Sequence, residues 1–161
     1  ECAWEDLMEL QEFHRSMAAD CFNTCWTYIE KENRTDSEDE EMRRLAEVSF
    51  WHWLQVEDHT KENESVGYWQ LARVYAISGR YHLAYYYAAK CIEIGERNDL
   101  VPLYIGYGYE ARARAYLLGG RVEDAREALD KAYEFSEQVS DAEWKNLLTN
   151  DLDQVRGLFP G

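Results

Sequence analysis

Proline is nearly absent from this chain of 161 residues: there are two, Pro102 and Pro160, and only nine glycines. Long periodic segments with so few breakers predict helices rather than strands joined by many turns. Clustered cations are missing as well. Lys and Arg number 17 against 32 Asp and Glu, for a formal charge of −15. That balance excludes nucleic acid as a partner, because neutralising phosphates requires a basic patch. It also argues against a membrane partner, since anionic lipid surfaces repel such a chain. No stretch approaches the ~18 uninterrupted apolar residues of a membrane-spanning helix, and no secretory leader is read at the start. The chain has no Gly-rich phosphate loop, no H-E-x-x-H, no C-x-x-C and no Ser/His/Asp spacing. Neither an enzyme nor a cofactor is expected.

The cysteines are few: Cys2, Cys21, Cys25 and Cys91. Cys21 and Cys25 fall one helical turn apart, which is poor disulfide geometry. Reduced, mostly buried thiols in a cytoplasmic protein are the expectation.

Tyr and Trp, by contrast, are abundant, at 12 and 6. The most informative feature is a duplication. Residues 68–96 reappear as residues 109–137, at an offset of 41, with ten identities in 29 positions. Among them are Tyr68/Tyr109, Ala72/Ala113, Arg73/Arg114, Tyr75/Tyr116, Gly79/Gly120 and Ala84/Ala125. A repeat of this length is one supersecondary unit that cannot bury its apolar face alone and stacks on its neighbour.

Periodicity and capping signals give seven helices. The first spans about residues 3–32, with Leu7, Leu10, His14, Met17, Cys21, Cys25 and Tyr28 on one stripe. Thr35-x-x-Glu38 and Ser37-x-x-Glu40 are overlapping capping boxes that open a second helix, running to about residue 59. His59–Ser65 reads as a polar connector. Each repeat copy then supplies a hairpin turning at Gly79 or Gly120. Asp99 is the expected cap of the fifth helix, with Pro102 in its first turn. Ser140-x-x-Glu143 is the expected capping box of the last.

Each copy resembles a tetratricopeptide repeat, whose pattern is W-x2-L-G-x2-Y, a Gly turn, then A-x3-F and a further Ala. The first copy reads Tyr68-x2-Leu71-Ala72-x2-Tyr75, Gly79, Ala84-x3-Ala88 and Cys91. The second reads Tyr109-x2-Arg112-Ala113-x2-Tyr116, Gly120, Ala125-x3-Leu129 and Ala132. The offset exceeds the family's ~34 residues, and Arg112 stands where the family has an apolar residue. The resemblance implies an all-α fold: a TPR-like α-α superhelix, or right-handed solenoid, of three helical hairpins and a C-terminal capping helix. The single domain 1–161 would divide into a degenerate first hairpin (1–60), copy one (64–97), copy two (99–138) and a cap (141–157).

In that family the first helix of each hairpin lines a concave groove. Carried over by motif position, the groove receives Trp69, Arg73 and Ala76 from one copy, and Tyr107, Glu110, Arg114 and Leu117 from the next. Two stacked guanidiniums are suited to a carboxylate, which they bind bidentately. The expectation is therefore a non-enzymatic module that binds a protein or peptide segment bearing an acidic group or C-terminal carboxylate, or that forms a homodimer. Internal pairing of both arginines with Glu110 or other acids is the competing reading. A second alternative is a metal or small-molecule site between the first two helices, centred on His14 and His52 with Cys21, Glu47 or Glu57 nearby.

Tyr85-Tyr86-Tyr87 covers nearly a full helical circumference, so at least one ring must face outward. Gly106 and Gly108 suggest close backbone approach or an irregular helix. Between Glu30 and Glu64 twelve acids face five Lys or Arg, as expected of a solvated face.

Overall fold

A computed structural model describes the backbone of residues 2–161 and the side chains from Ala3 onward. The expectation for the Cys2 thiol lies outside those residues. The described chain is all-α: α1 (Cys2–Ile29), α2 (Asp36–Gln55), α3 (Lys61–Ile77), α4 (Tyr81–Arg97), α5 (Pro102–Leu118), α6 (Val122–Glu137) and α7 (Ala142–Gly157).

Most boundaries follow from local chemistry. Thr35 caps α2 through a reciprocal box with Glu38, so Ser37 lies inside the helix. Thr60 and Asn63 form the same reciprocal box at the start of α3. The polar connector is therefore shorter than expected, and Glu64 and Ser65 are buried helical residues. Asp141, not Ser140, caps α7 by accepting from the Trp144 N–H at 3.0 Å.

Asp99 does not cap α5, whose N-cap is Val101. It instead ends α4 in the left-handed region at φ 49°. The Leu100 N–H reaches back to the Gly95 carbonyl at 3.0 Å, which closes a Schellman-type turn. Gly79 and Gly120, at φ 73° and 72°, close the same turn after α3 and α5. There the Arg80 and Arg121 N–H groups donate to the Tyr75 and Tyr116 carbonyls. Glycine adopts this conformation without Cβ strain, which explains why the turn recurs at equivalent repeat positions.

Each helix packs against the next in the chain, and α3 also lies beside α5, and α5 beside α7. Small residues make the close approaches: Ala72, Ala84, Ala113 and Ala125 are buried. Tyrosines fill the wider gaps. The Tyr75 ring stacks on Tyr87 at 5.7 Å, and its hydroxyl donates to Glu47 of α2 at 2.8 Å. Tyr116 meets Tyr85 of α4 at 5.4 Å. α2 buries one face, with Met42, Ala46, Ser49 and Phe50 turned inward. Of the tyrosine triplet, Tyr86 is the exposed member.

Gly108 marks a close contact of α5 with the α4 backbone. A Cβ there would stand 2.8 Å from Ile92 Cγ1 and 3.2 Å from the Ile92 backbone nitrogen. Ala is favoured over Gly in helices by about 1 kcal/mol, but backbone cannot retreat as a side chain can. Gly108→Ala is therefore expected to destabilise by about 1–2 kcal/mol. At Gly157 nothing would lie within 4 Å of the new Cβ, and the same substitution is expected to be neutral or stabilising. Urea unfolding midpoints of the two variants check the contrast.

Candidate functional site

The repeat brings two pairs of equivalent positions face to face. Trp69 and Arg73 lie one turn apart on α3, and Glu110 and Arg114 one turn apart on α5. Glu110 is fully buried. One carboxylate oxygen, Oε1, accepts from Arg73 Nη2 at 2.9 Å and from Arg114 Nε. The other, Oε2, accepts from the Trp69 indole N–H at 2.9 Å. The Arg73 guanidinium also sits 5.3 Å from the Trp69 ring centre, a cation–π distance.

Burial alone would push the Glu110 carboxyl upward, because desolvation penalises the charged form. Arg73 and Arg114 outweigh it with help from the Trp69 hydrogen bond, and hold the group below the usual glutamate range. Glu110 is thus an ionised carboxylate enclosed in protein. Two guanidiniums share this one anion, and Arg73 Nε and Arg114 Nη2 are buried without a hydrogen-bond partner.

Aromatic rings extend the cluster in both directions. Trp69 packs 5.1 Å from Tyr107 of α5 and 5.3 Å from Trp26 of α1. The Tyr107 hydroxyl donates to Asp151 of α7 at 2.8 Å, and burial with this acidic acceptor pushes the phenol well up. Gln70 donates to the Phe22 carbonyl of α1 at 3.1 Å. Contributions from α1, α3, α5 and α7 thus form one continuous row. Of the seven residues assigned to the groove, Trp69, Arg73, Tyr107, Glu110 and Arg114 belong to it. Trp69, Arg73 and Arg114 are spent on Glu110, and Tyr107 on the Trp69 ring and Asp151, rather than standing free. Leu117 packs instead into the cluster around Leu148 and Leu152. Trp26 and Asp151 escape sequence reasoning because neither lies in a repeat copy; only the three-dimensional stacking aligns them.

The histidine pair also forms. His14 Nδ1 and His52 Nδ1 are 2.8 Å apart, so one ring donates and the other accepts, which requires one of them to be neutral. Phe13 packs edge-on against both rings, and Trp51 against each in turn. Burial, then the His14 charge, hold His52 below the ordinary histidine value. No third ligand joins them. Among the described residues no group of three His, Cys, Asp or Glu side chains converges on a metal position. Glu47 is occupied by the Tyr75 and Tyr87 hydroxyls. Cys21, Cys25 and Cys91 are free and buried, and burial pushes the Cys25 and Cys91 thiols up to about 12. Among the described residues no helix is long and apolar enough to cross a membrane.

Comparison with known proteins returns nothing: no family model, no curated protein and no solved structure matches the chain.

Two pH effects follow. The folded-state pKa of Glu110 is depressed, so its contribution is complete above the unfolded value of about 4.3 and is lost as pH falls through the folded value. In Glu110→Gln this part of the acid destabilisation should vanish, while stability at neutral pH drops by about 3–5 kcal/mol because two buried guanidiniums lose their anion. Denaturant midpoints across pH measure both. For His52 the charged form is the disfavoured one. The end of α1 should therefore loosen as pH falls below about 6.5, where the unfolded state gains a proton that the folded state resists. Glu5, Asp6, Glu9, Glu12, Arg15, Glu57 and Asp58 are charged groups at this end, and Arg15 is paired with Asp58. Amide exchange of α1 should lose this pH dependence in His52→Phe.

Proposed function

We propose that the chain is a non-enzymatic helical-repeat module, a TPR-like right-handed α-α superhelix. Its α1–α3–α5–α7 face holds a segment of another protein, and the Arg73–Arg114 pair takes an acidic side chain or a terminal carboxylate. The observation that carries this reading is the imbalance in the cluster. Two guanidiniums present ten N–H donors around a single carboxylate, and Arg73 Nε and Arg114 Nη2 remain unspent. Trp69 and Tyr107, both partly exposed, flank that surplus with rigid ring surface of the kind that anchors interfaces. The Arg73 and Arg114 side chains are 10% and 11% exposed, so the cluster's edge reaches the surface.

A binding role also agrees with the state of the titratable groups. The shifted tyrosines and cysteines are raised, away from reactivity, and Glu110 is locked in its ionised form. Unpaired thiols agree with a cytoplasmic setting.

Truncating both arginines would strand Glu110 and conflate folding with binding. The informative pair is Arg114→Lys and Glu110→Gln, checked by circular dichroism for an intact fold. A short peptide with an acidic free C-terminus should bind more tightly than its amide. Arg114→Lys should weaken it about tenfold by losing the fork geometry. Glu110→Gln, by removing the internal competitor, should tighten it. Calorimetry that finds indifference to the free carboxylate, or weaker binding in Glu110→Gln, would sink the reading.

A further inference from the structure

We propose that the first turns of α1 form a docking surface for a basic amphipathic helix of another protein. α1 and α2 run antiparallel, with Cys25 opposite Met42, Ala18 opposite Ser49 and His14 opposite His52. α2 ends at Gln55, opposite Gln11 of α1, whose side-chain amide donates to the Gln55 carbonyl at 3.2 Å and accepts from the Glu57 N–H at 2.8 Å. The part of α1 before Gln11 continues past that point by roughly 13 Å, at 1.5 Å per residue.

The stripe that covers α2 from His14 to Cys25 does not stop there. Leu7 and Leu10 continue it, with Trp4, Met8 and Phe13 alongside, and these five side chains are 37–74% exposed. Trp51 and Leu54, in the last turns of α2, border the patch and are exposed as well. The sequence pattern places Leu7 and Leu10 in the core, but no helix of the described chain reaches far enough to cover them. A contiguous apolar surface of this kind marks an interaction site. Its geometry is that of a helix lacking its antiparallel neighbour.

Charge selects the occupant. Glu5, Asp6, Glu9 and Glu12 share these turns, and no Lys or Arg stands among residues 3–14. Arg15 itself is held by Asp58 at 2.6 Å. The complement of an apolar stripe with acidic flanks is an apolar stripe with basic flanks. A second copy docked through the same turns would set four acids against four acids, and an anionic bilayer would repel them equally. This surface shares no residue with the Arg73–Glu110–Arg114 cluster, and the inference does not depend on that cluster's role.

The test uses the full chain and a synthetic helical peptide with Leu on one face and Lys on the other. A counterpart carrying Glu in place of Lys serves as comparison. Fluorescence anisotropy should show the Lys peptide binding at least about tenfold more tightly, with the advantage shrinking as salt rises. Leu7→Glu together with Leu10→Glu should weaken binding by about tenfold or more, with thermal unfolding unchanged. Both substitutions add negative charge, so non-specific attraction would strengthen, and a loss isolates the apolar contact. Glu5→Lys, Glu9→Lys and Glu12→Lys together should transfer the preference to the Glu peptide. Equal binding of the two peptides, or full binding by the Leu7/Leu10 variant, overturns the proposal. So does a dimer in light scattering that the Leu7/Leu10 variant abolishes, which would make a second copy the occupant. Co-sedimentation of the wild type, but not that variant, with phosphatidylcholine–phosphatidylglycerol vesicles would assign the surface to a membrane and overturn it too.

Discussion

An ionised carboxylate with no exposure to water is the constraint around which the second half of this molecule is arranged. Glu110 is tolerable inside only because Arg73, Arg114 and the Trp69 indole each direct a donor at it. Removing any one of them leaves a buried charge undercompensated, at a cost of several kcal/mol. Because Arg73 and Trp69 stand on α3 and Glu110 on α5, this requirement fixes how the two copies stack. An apolar contact would tolerate a slip of one turn. A three-donor clamp on one carboxylate does not.

The clamp also shows how a duplicated segment becomes complementary to itself. At the motif positions concerned, Arg73 and Arg114 are the same residue, while Trp69 and Glu110 are different ones. Had both copies kept Trp, two arginines would face each other in a closed space without an anion. Had both kept Glu, a second buried carboxylate would need its own donors. One divergence at that position supplies an acceptor in one copy and a donor in the other. Ala72 of α3 and Ala111 of α5, packed together beside Trp69, let the helices approach close enough for the clamp to close.

How much of this was legible beforehand depended on whether a feature repeats. Periodicity and capping signals mark the seven helices, and neither they nor the repeat reach Trp26 or Asp151. The offset of 41 and the motif positions mark the Gly79 and Gly120 turns and, within the cluster, Trp69, Arg73, Tyr107, Glu110 and Arg114. Their mutual bonding could not be decided from it, because a repeat gives equivalent positions but not which side chains satisfy one another. Asp99 shows the opposite failure. Its type suits a cap, but the sixth-to-first bond from Leu100 to Gly95 takes the residue into the left-handed region at the end of the preceding helix. Asp and Asn tolerate that conformation better than most residues, so composition alone could not separate the two roles. Asn63 likewise completes the cap of α3 where Glu or Gln is the usual signal. At Leu7 and Leu10 the periodicity was sound and its consequence was not. A stripe predicts what a helix offers for burial, and only the end of α2 at Gln55 determines where burial stops.

These two surfaces impose different physical demands on any partner. At the cluster the polar groups are already dehydrated and mostly satisfied, so an incoming carboxylate must compete with Glu110 for the same guanidiniums. Under the proposed binding role, such competition would make recognition selective, because a ligand lacking the charge leaves the internal bonds in place and gains nothing. The overhang of α1 has no internal competitor. Its leucines and aromatic rings are solvated, and covering them releases water without breaking any bond of the fold. Tightness there would come from area, and discrimination from the acids on the same turns, which repel any partner that shares their sign. The His14–His52 contact closes α1 onto the end of α2 beside this surface, and only while one of the rings is neutral. Protonation of both rings would cost this contact. Gln11, bonded to the chain at both Gln55 and Glu57, is a second tie between α1 and the end of α2.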